Sequence, residues 1–311
     1  MRPVKAAVIQ AGSTLFNTAA TLEKFERLAG EATEGGAGLC IFPEAFIGGY
    51  PKGYHFGAPV GSRSPEGRDW FRRYFDSAID VPGPETARMG AVAADHKLDI
   101  VVGVIERAGA QEGGGTLYCC VLCFTRDGAL LGKRRKLMPT AAERLIWGFG
   151  DGSTLDLFET TSARMSAVIC WENYMPMMRM SQYAQGVEIY CAPSVDDRES
   201  WTALMRTVAA EGRCFVLSAN QFMRRSDAPA DFQPVQGDDP KTVLIDGGSV
   251  IISPMGDILA GPVFGEETIL FADLAPAELA RGKMDFDVAG HYARPDIFDL
   301  SINRAKQSPV R

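Results

Sequence analysis

Histidine is scarce in this 311-residue chain, with three in all: His55, His96 and His291. A cysteine–histidine catalytic pair needs one of them beside a thiol. His96 falls in a helical pattern, His55 in a Gly/Pro-rich loop and His291 in Gly290-His291-Tyr292. Nothing in their spacing pairs any of them with a cysteine, and each reads as structural. Positive charge is also in deficit, at a formal net −7. Nucleic-acid binding is therefore not expected, because it requires a basic face; the one dense basic cluster is Lys133-Arg134-Arg135-Lys136. No apolar run approaches the ~18 residues of a membrane span. The apolar run near the N-terminus is too short for a signal peptide. Linkers rich in Pro, Gly or Ser and internal repeats are missing too, so residues 1–311 read as a single domain with a short tail after about residue 303.

What the chain does contain is an ordinary globular mixture, 46% hydrophobic and 23% charged. Its seven cysteines are an odd number, and most sit in apolar stretches such as Tyr118-Cys119-Cys120-Val121-Leu122-Cys123-Phe124. Thiols so placed behave as small buried hydrophobes, which points to a reducing, cytoplasmic compartment rather than a disulfide framework. Cys119-Cys120-x-x-Cys123 lacks a second ligand pair and reads as core, not as a metal site.

Short, nearly continuous apolar runs predict strands over 4–11, 39–42, 99–106, 117–125, 165–169, 188–192, 214–219, 249–253 and 268–274. Helical patterns lie between several of them, over 18–33, 66–78, 85–96, 176–184, 201–211 and 276–282. The alternation implies an α/β fold. Asp127-Gly128 and Gly256-Asp257 predict hairpins, to 129–136 and 258–261, so the sheets should be mixed. Residues 224–242 have no apolar periodicity and read as a surface excursion that could border a site or a subunit contact.

Cys170 differs in setting from the other thiols. It ends the run Ala167-Val168-Ile169 and precedes a helix opened by Pro176. In α/β sheets reactive groups gather at such strand ends, and a nearby helix N-terminus would lower the thiol's pKa. With histidine scarce, a carboxylate of raised pKa is the natural base. Glu44 closes the apolar run 39–43 and fits that position, although a solvated loop acid has the same local pattern. Lys136 ends a predicted strand and could stabilise developing negative charge; period-two alternation sets it and Arg134 apart from Lys133 and Arg135. Glu143 is ambiguous, since Thr140-Ala141-Ala142-Glu143 is also a capping box, and spacing alone favours the cap.

Together these stretches resemble the nitrilase superfamily, in its nitrilase branch. The resemblance is carried by residues 42–51 (FPEAFIGGYP), 133–140 (KRRKLMPT), Glu143-Arg144, Trp147-Gly148, 170–176 (CWENYMP), Glu211-Gly212-Arg213-Cys214, Gly247-Gly248-Ser249 and 290–296 (GHYARPD). It implies a four-layer α-β-β-α sandwich with mixed sheets. It implies a Glu-Lys-Cys triad at Glu44, Lys136 and Cys170, with Glu143 as a further member. Tyr50, Tyr54, Trp147, Trp171 and Glu172 are the expected substrate contacts, and with Phe56 they suggest a pocket tolerant of aromatic nitriles. The implied reaction is hydrolysis of an organic nitrile to the carboxylic acid and ammonia through a thioimidate and thioester on Cys170, with no metal or organic cofactor. The same triad serves cyanide-degrading hydratases and dihydratases, amidases and carbamoylases; a catalytically dead scaffold is a further alternative. A homodimer or higher homo-oligomer is implied, while the short tail departs from the longer nitrilases and weighs against long filaments.

Overall fold

Successive residues of a strand face opposite ways, and in this protein both faces are covered. In a computed structural model, which describes residues 1–308, Ala6 and Val8 of the first strand join one buried cluster while Ala7 and Ile9 join another. The first part of the chain supplies β1 (Val4–Gln10), β2 (Leu39–Ile41), β3 (Asp99–Arg107), β4 (Leu117–Phe124) and β5 (Leu130–Arg135). The next part supplies β6 (Phe158–Glu159), β7 (Arg164–Ala167), β8 (Ile189–Cys191), β9 (Phe215–Ser218), β10 (Phe222–Arg224), β11 (Val243–Ile252) and β12 (Ile258–Phe264). The last strand, β13 (Thr268–Leu274), returns to pair antiparallel with β1.

Two mixed sheets result. One has the order β13-β1-β2-β3-β4-β5; the other runs β10-β11-β9-β8-β7-β6, with β12 paired to β11. The central pairs β1/β2/β3 and β7/β8/β9 are parallel, so their C-terminal ends and following loops gather along one edge. Ile41, Val101 and Val121 of the first sheet meet Met165, Ile189, Leu217 and Ile251 of the second in an inner core.

Helices α1 (Thr18–Glu34), α2 (Pro65–Ser77), α3 (Pro84–His96), α4 (Pro176–Tyr183), α5 (Glu199–Gly212) and α6 (Ala277–Gly282) follow the expected patterns within two residues at each end. Asn17 caps α1 by accepting the Ala20 amide, and Leu22, Phe25, Leu28, Ala29 and Ala32 form its buried stripe. That stripe and Met89 and Val92 of α3 cover the outer face of the first sheet. Met178, Trp201, Met205 and Val208 of α4 and α5 cover the outer face of the second. The architecture is thus the four-layer α-β-β-α sandwich. Among the described residues no helix is long and apolar enough to cross a membrane.

Three segments depart from the expected boundaries. β11 begins at Val243 rather than 249, because its first residues find a partner in β10, with Met223 opposite Ile245. That pairing is long-range and leaves no local signal. β12 runs on to Phe264, beyond the expected end at 261. The irregular stretch 224–242 is anchored by Phe232, which is fully buried against Phe16, Tyr54 and Trp70.

Candidate active site

Four side chains from three loops meet at the shared edge of the sheets. Glu44 follows β2, Lys136 follows β5, Glu143 lies in a 3-10 turn over Ala141–Leu145, and Cys170 follows β7. Lys136 Nζ donates to Glu44 Oε1 and to Glu143 Oε2, at 2.7 Å each. Tyr50 donates its hydroxyl to the other oxygen of Glu143 at 2.7 Å. Alternation along β5 does what the pattern implied. Arg134 and Lys136 turn inward and are sealed from solvent, while Lys133 and Arg135 both reach Glu106 on the opposite face. The two readings of Glu143 are both satisfied, since Oε2 accepts the Thr140 amide at 2.6 Å as a helix-start cap and also accepts Lys136.

Glu44 depends on a glycine that the sequence pattern did not single out. A Cβ at Gly103, on β3, would stand 2.2 Å from the Pro43 carbonyl and 2.7 Å from Glu44 Cα. Without it the Glu44 loop could not lie against the sheet. Gln221 completes the hold by donating to the Glu44 backbone carbonyl at 2.7 Å.

Cys170 opens a 3-10 turn, Cys170–Tyr174, with φ at 51°, a conformation a non-glycine residue holds only where its surroundings over-determine it. They do. Its amide donates to the Pro193 carbonyl at 2.9 Å, and Asn173 donates to the carbonyls of Val168 and Cys170 at 2.9 and 2.7 Å. Ser194 donates its hydroxyl to the Cys170 sulfur at 3.4 Å. Neither Asn173 nor Ser194 carries a signal in the sequence beyond its nearness to strand ends.

The electrostatics correct one expectation. The helix α4 begins at Pro176 as expected, but the thiol beside it is shifted up rather than down. Burial pushes the Cys170 thiol up, Glu44 and Glu143 add to the rise, and Lys136 opposes it. At rest the sulfur is a protonated thiol. Burial likewise raises the Glu44 carboxyl, with Lys136 opposing and Glu143 adding. Burial works against the Lys136 ammonium, but Glu44, Cys170 and Glu143 hold its pKa well above the ordinary value. A raised carboxylate beside a thiol that must lose its proton is a matched acid–base pair.

A cavity of about 190 Å³ opens over Cys170, lined by Tyr50, Lys52, Glu143, Trp171, Asp196 and Arg198 among others. Tyr50, Lys52 and Glu143 also line a neighbouring chamber of about 460 Å³ walled by Tyr54, Phe56, Trp147 and Val235. Tyr50 and Trp171 therefore line the cavity at the thiol, whereas Tyr54 and Trp147 line the neighbouring chamber, with Lys136 Nζ 5.4 Å from the Trp147 ring. Val235 belongs to the 224–242 stretch, which thus does border this region. Trp171 is held by donating to Asp196 at 2.8 Å, and Arg198 lies over its ring.

Glu172, expected as a substrate contact, is not at either cavity. Its carboxylate is fully buried and spent on Arg134, at 3.1 Å from both oxygens, and on the amides of Leu137 and Ile169. It ties the end of β5, which carries Lys136, to the turn that carries Cys170.

Comparison with known proteins identifies the family. The family model for carbon-nitrogen hydrolases matches residues 5–283. The chain is 55% identical to a nitrilase of Bradyrhizobium diazoefficiens, over 96% of this chain and 92% of that protein. It is 52% identical to an aliphatic nitrilase of Sinorhizobium fredii, over 100% and 99%. A bifunctional nitrilase/nitrile hydratase of Lupinus angustifolius is 53% identical, over 99% and 88%. In fold, the crystal structure of Saccharomyces cerevisiae Nit3, a member of branch 10 of the nitrilase superfamily, superposes with a TM-score of 0.71. It does so at 21% identity, covering 94% of this chain and 97% of that one.

Proposed function

Because the chain belongs to the carbon–nitrogen hydrolase family, in its nitrilase branch, we propose that Cys170 is the nucleophile with which it hydrolyses an organic nitrile to the carboxylic acid and ammonia. The observation that carries this reading is one buried ammonium, Lys136, paired with two glutamates, of which Glu143 lines the cavity together with the Cys170 thiol.

Each group has a role that its setting supports. The thiol is protonated at rest, so attack on the weakly electrophilic nitrile carbon requires a base, and Glu44 is the carboxylate raised into a useful range. Glu44 takes the proton from sulfur as the S–C bond forms and delivers it to the nitrile nitrogen, giving a thioimidate. Lys136 stabilises the negative charge that develops on the substrate. Water adds to the thioimidate, ammonia leaves, and a thioester remains on Cys170. A second water, deprotonated by Glu44, releases the acid and restores the thiol. Glu143, fixed by Tyr50 and Thr140, holds Lys136 in place and keeps it charged. The chamber walled by Tyr54, Phe56 and Trp147 favours nitriles with an aryl or extended apolar group.

We take residues 1–311 as a single hydrolase domain. A homodimer through the helical layer is supported by the exposed Tyr174, Met175 and Met177 around α4. The seven unpaired cysteines suit a reducing, cytoplasmic setting. Ammonia release from a panel of aliphatic, aromatic and arylaliphatic nitriles, cyanide and matched amides tests the reaction. Turnover of at least one nitrile above every amide supports it, and amides outpacing all nitriles overturns it.

A further inference from the structure

Cys119 lies one strand away from the reacting groups and has no part in the steps above. It stands on the inner face of β4, whereas its neighbour Cys120 turns to the outer face and donates to Glu106. Two contacts leave Cys119, one to each member of the Glu44–Lys136 pair. Its backbone carbonyl accepts the Lys136 amide at 2.8 Å, which sets where the lysine leaves the sheet. Its thiol, 3.6 Å from Glu44 Oε1, donates to that oxygen, the same one that receives Lys136. Glu44 Oε2 is buried and has no hydrogen-bond partner. The two oxygens of one carboxylate are therefore unequal, and Cys119 is part of the reason.

We infer that Cys119 is a positioning residue for the base, orienting Glu44 so that Oε2 is the oxygen left free to take the proton from Cys170. This rests on Glu44 acting as the base. Burial, followed by the charge of Glu44, pushes the Cys119 thiol well above its ordinary range, so it remains an S–H donor wherever the enzyme works. The titratable groups facing Glu44 are Lys136, Glu143, Cys170 and Cys119, with Tyr50 and Tyr74 close enough to feel its charge. Of these, Cys119 combines a donor contact to Oε1 with freedom from the reaction itself. A thiol that merely filled the core would leave the protonation of Glu44 indifferent to its removal.

The test is the pH dependence of kcat/KM for Cys119→Ala and Cys119→Ser in the full chain, with the best nitrile of the panel, alongside intact-mass detection of the Cys170 adduct. Loss of a donor to the charged form moves the acid limb of Cys119→Ala up by about half a pH unit, while serine, which keeps a donor, retains the wild-type limb. Only pH values at which circular dichroism shows the variant folded enter the profile, so a moved limb reports Glu44 and not acid unfolding. An unmoved limb in Cys119→Ala, with the Cys170 adduct still formed, overturns the inference and leaves the nucleophile intact. No adduct on Cys170 in the wild-type enzyme removes the proposed function, and the inference with it.

Discussion

Lys136 and Glu44 form an ion pair at 2.7 Å in which neither side chain has any exposure to solvent. A pair sealed in this way contributes little by its own Coulomb energy, because both charges gave up water to form it. Removing one partner is another matter. Lys136→Met leaves Glu44 and Glu143 facing each other without a cation, and we expect a loss of about 3–5 kcal/mol in urea unfolding. Activity should fall at least ~10²-fold through loss of charge stabilisation. Adding Glu44→Gln to Lys136→Met should recover part of the stability and none of the activity. Equal unfolding midpoints for wild type and Lys136→Met would show that the pair is not sealed.

The pH profile follows from the direction of the shifts. Glu44 must be ionised to act as base, and burial raises its carboxyl above the ordinary 4.5. The acid limb of kcat/KM should therefore lie above pH 4.5, with activity falling as pH drops through the raised value. Lys136 is shifted upward, so its deprotonation should not shape the alkaline side near neutrality. A limb at or below 4.5 contradicts the assignment of Glu44.

Glu172 separates a structural role from a binding one. If it ties the end of β5 to the Cys170 turn, Glu172→Ala leaves Arg134 buried without its partner and costs about 3–5 kcal/mol. Such a variant should also lose kcat for every nitrile alike. A selective rise in KM with unchanged stability would instead make Glu172 a substrate contact.

Chamber size gives a prediction on specificity. Val235 lines the same chamber as the aromatic residues, and Val235→Trp should fill part of the 460 Å³ space. The ratio of kcat/KM for an aryl nitrile to that for a short aliphatic one should fall about tenfold, in keeping with the modest discrimination that apolar pockets achieve. An unchanged ratio would place the substrate's side group elsewhere.

Much of this was legible in the order of residues because the signals were local. Continuous apolar runs marked the parallel strands, and Asp127-Gly128 marked the β4–β5 turn. Period-two alternation picked out Lys136 and Arg134 from a run of four cations. What escaped was set by contacts across long separations. Gly103 matters only because the Glu44 loop lies against it, and Cys119 only because β4 lies beside the lysine. The Cys170 thiol was expected low and is pushed up, because burial beside Glu44 and Glu143 is a property of the assembled sandwich. Glu172 was misplaced because adjacency to Cys170 in sequence says nothing about which way a tight turn points its side chains.

The central claim is a covalent bond to one sulfur. Mass spectrometry of enzyme quenched during turnover of a nitrile should find the acyl or imidoyl adduct on Cys170 and on none of the other six cysteines, and Cys170→Ala should be inactive. An unmodified Cys170, with activity surviving Cys170→Ala, would contradict the account.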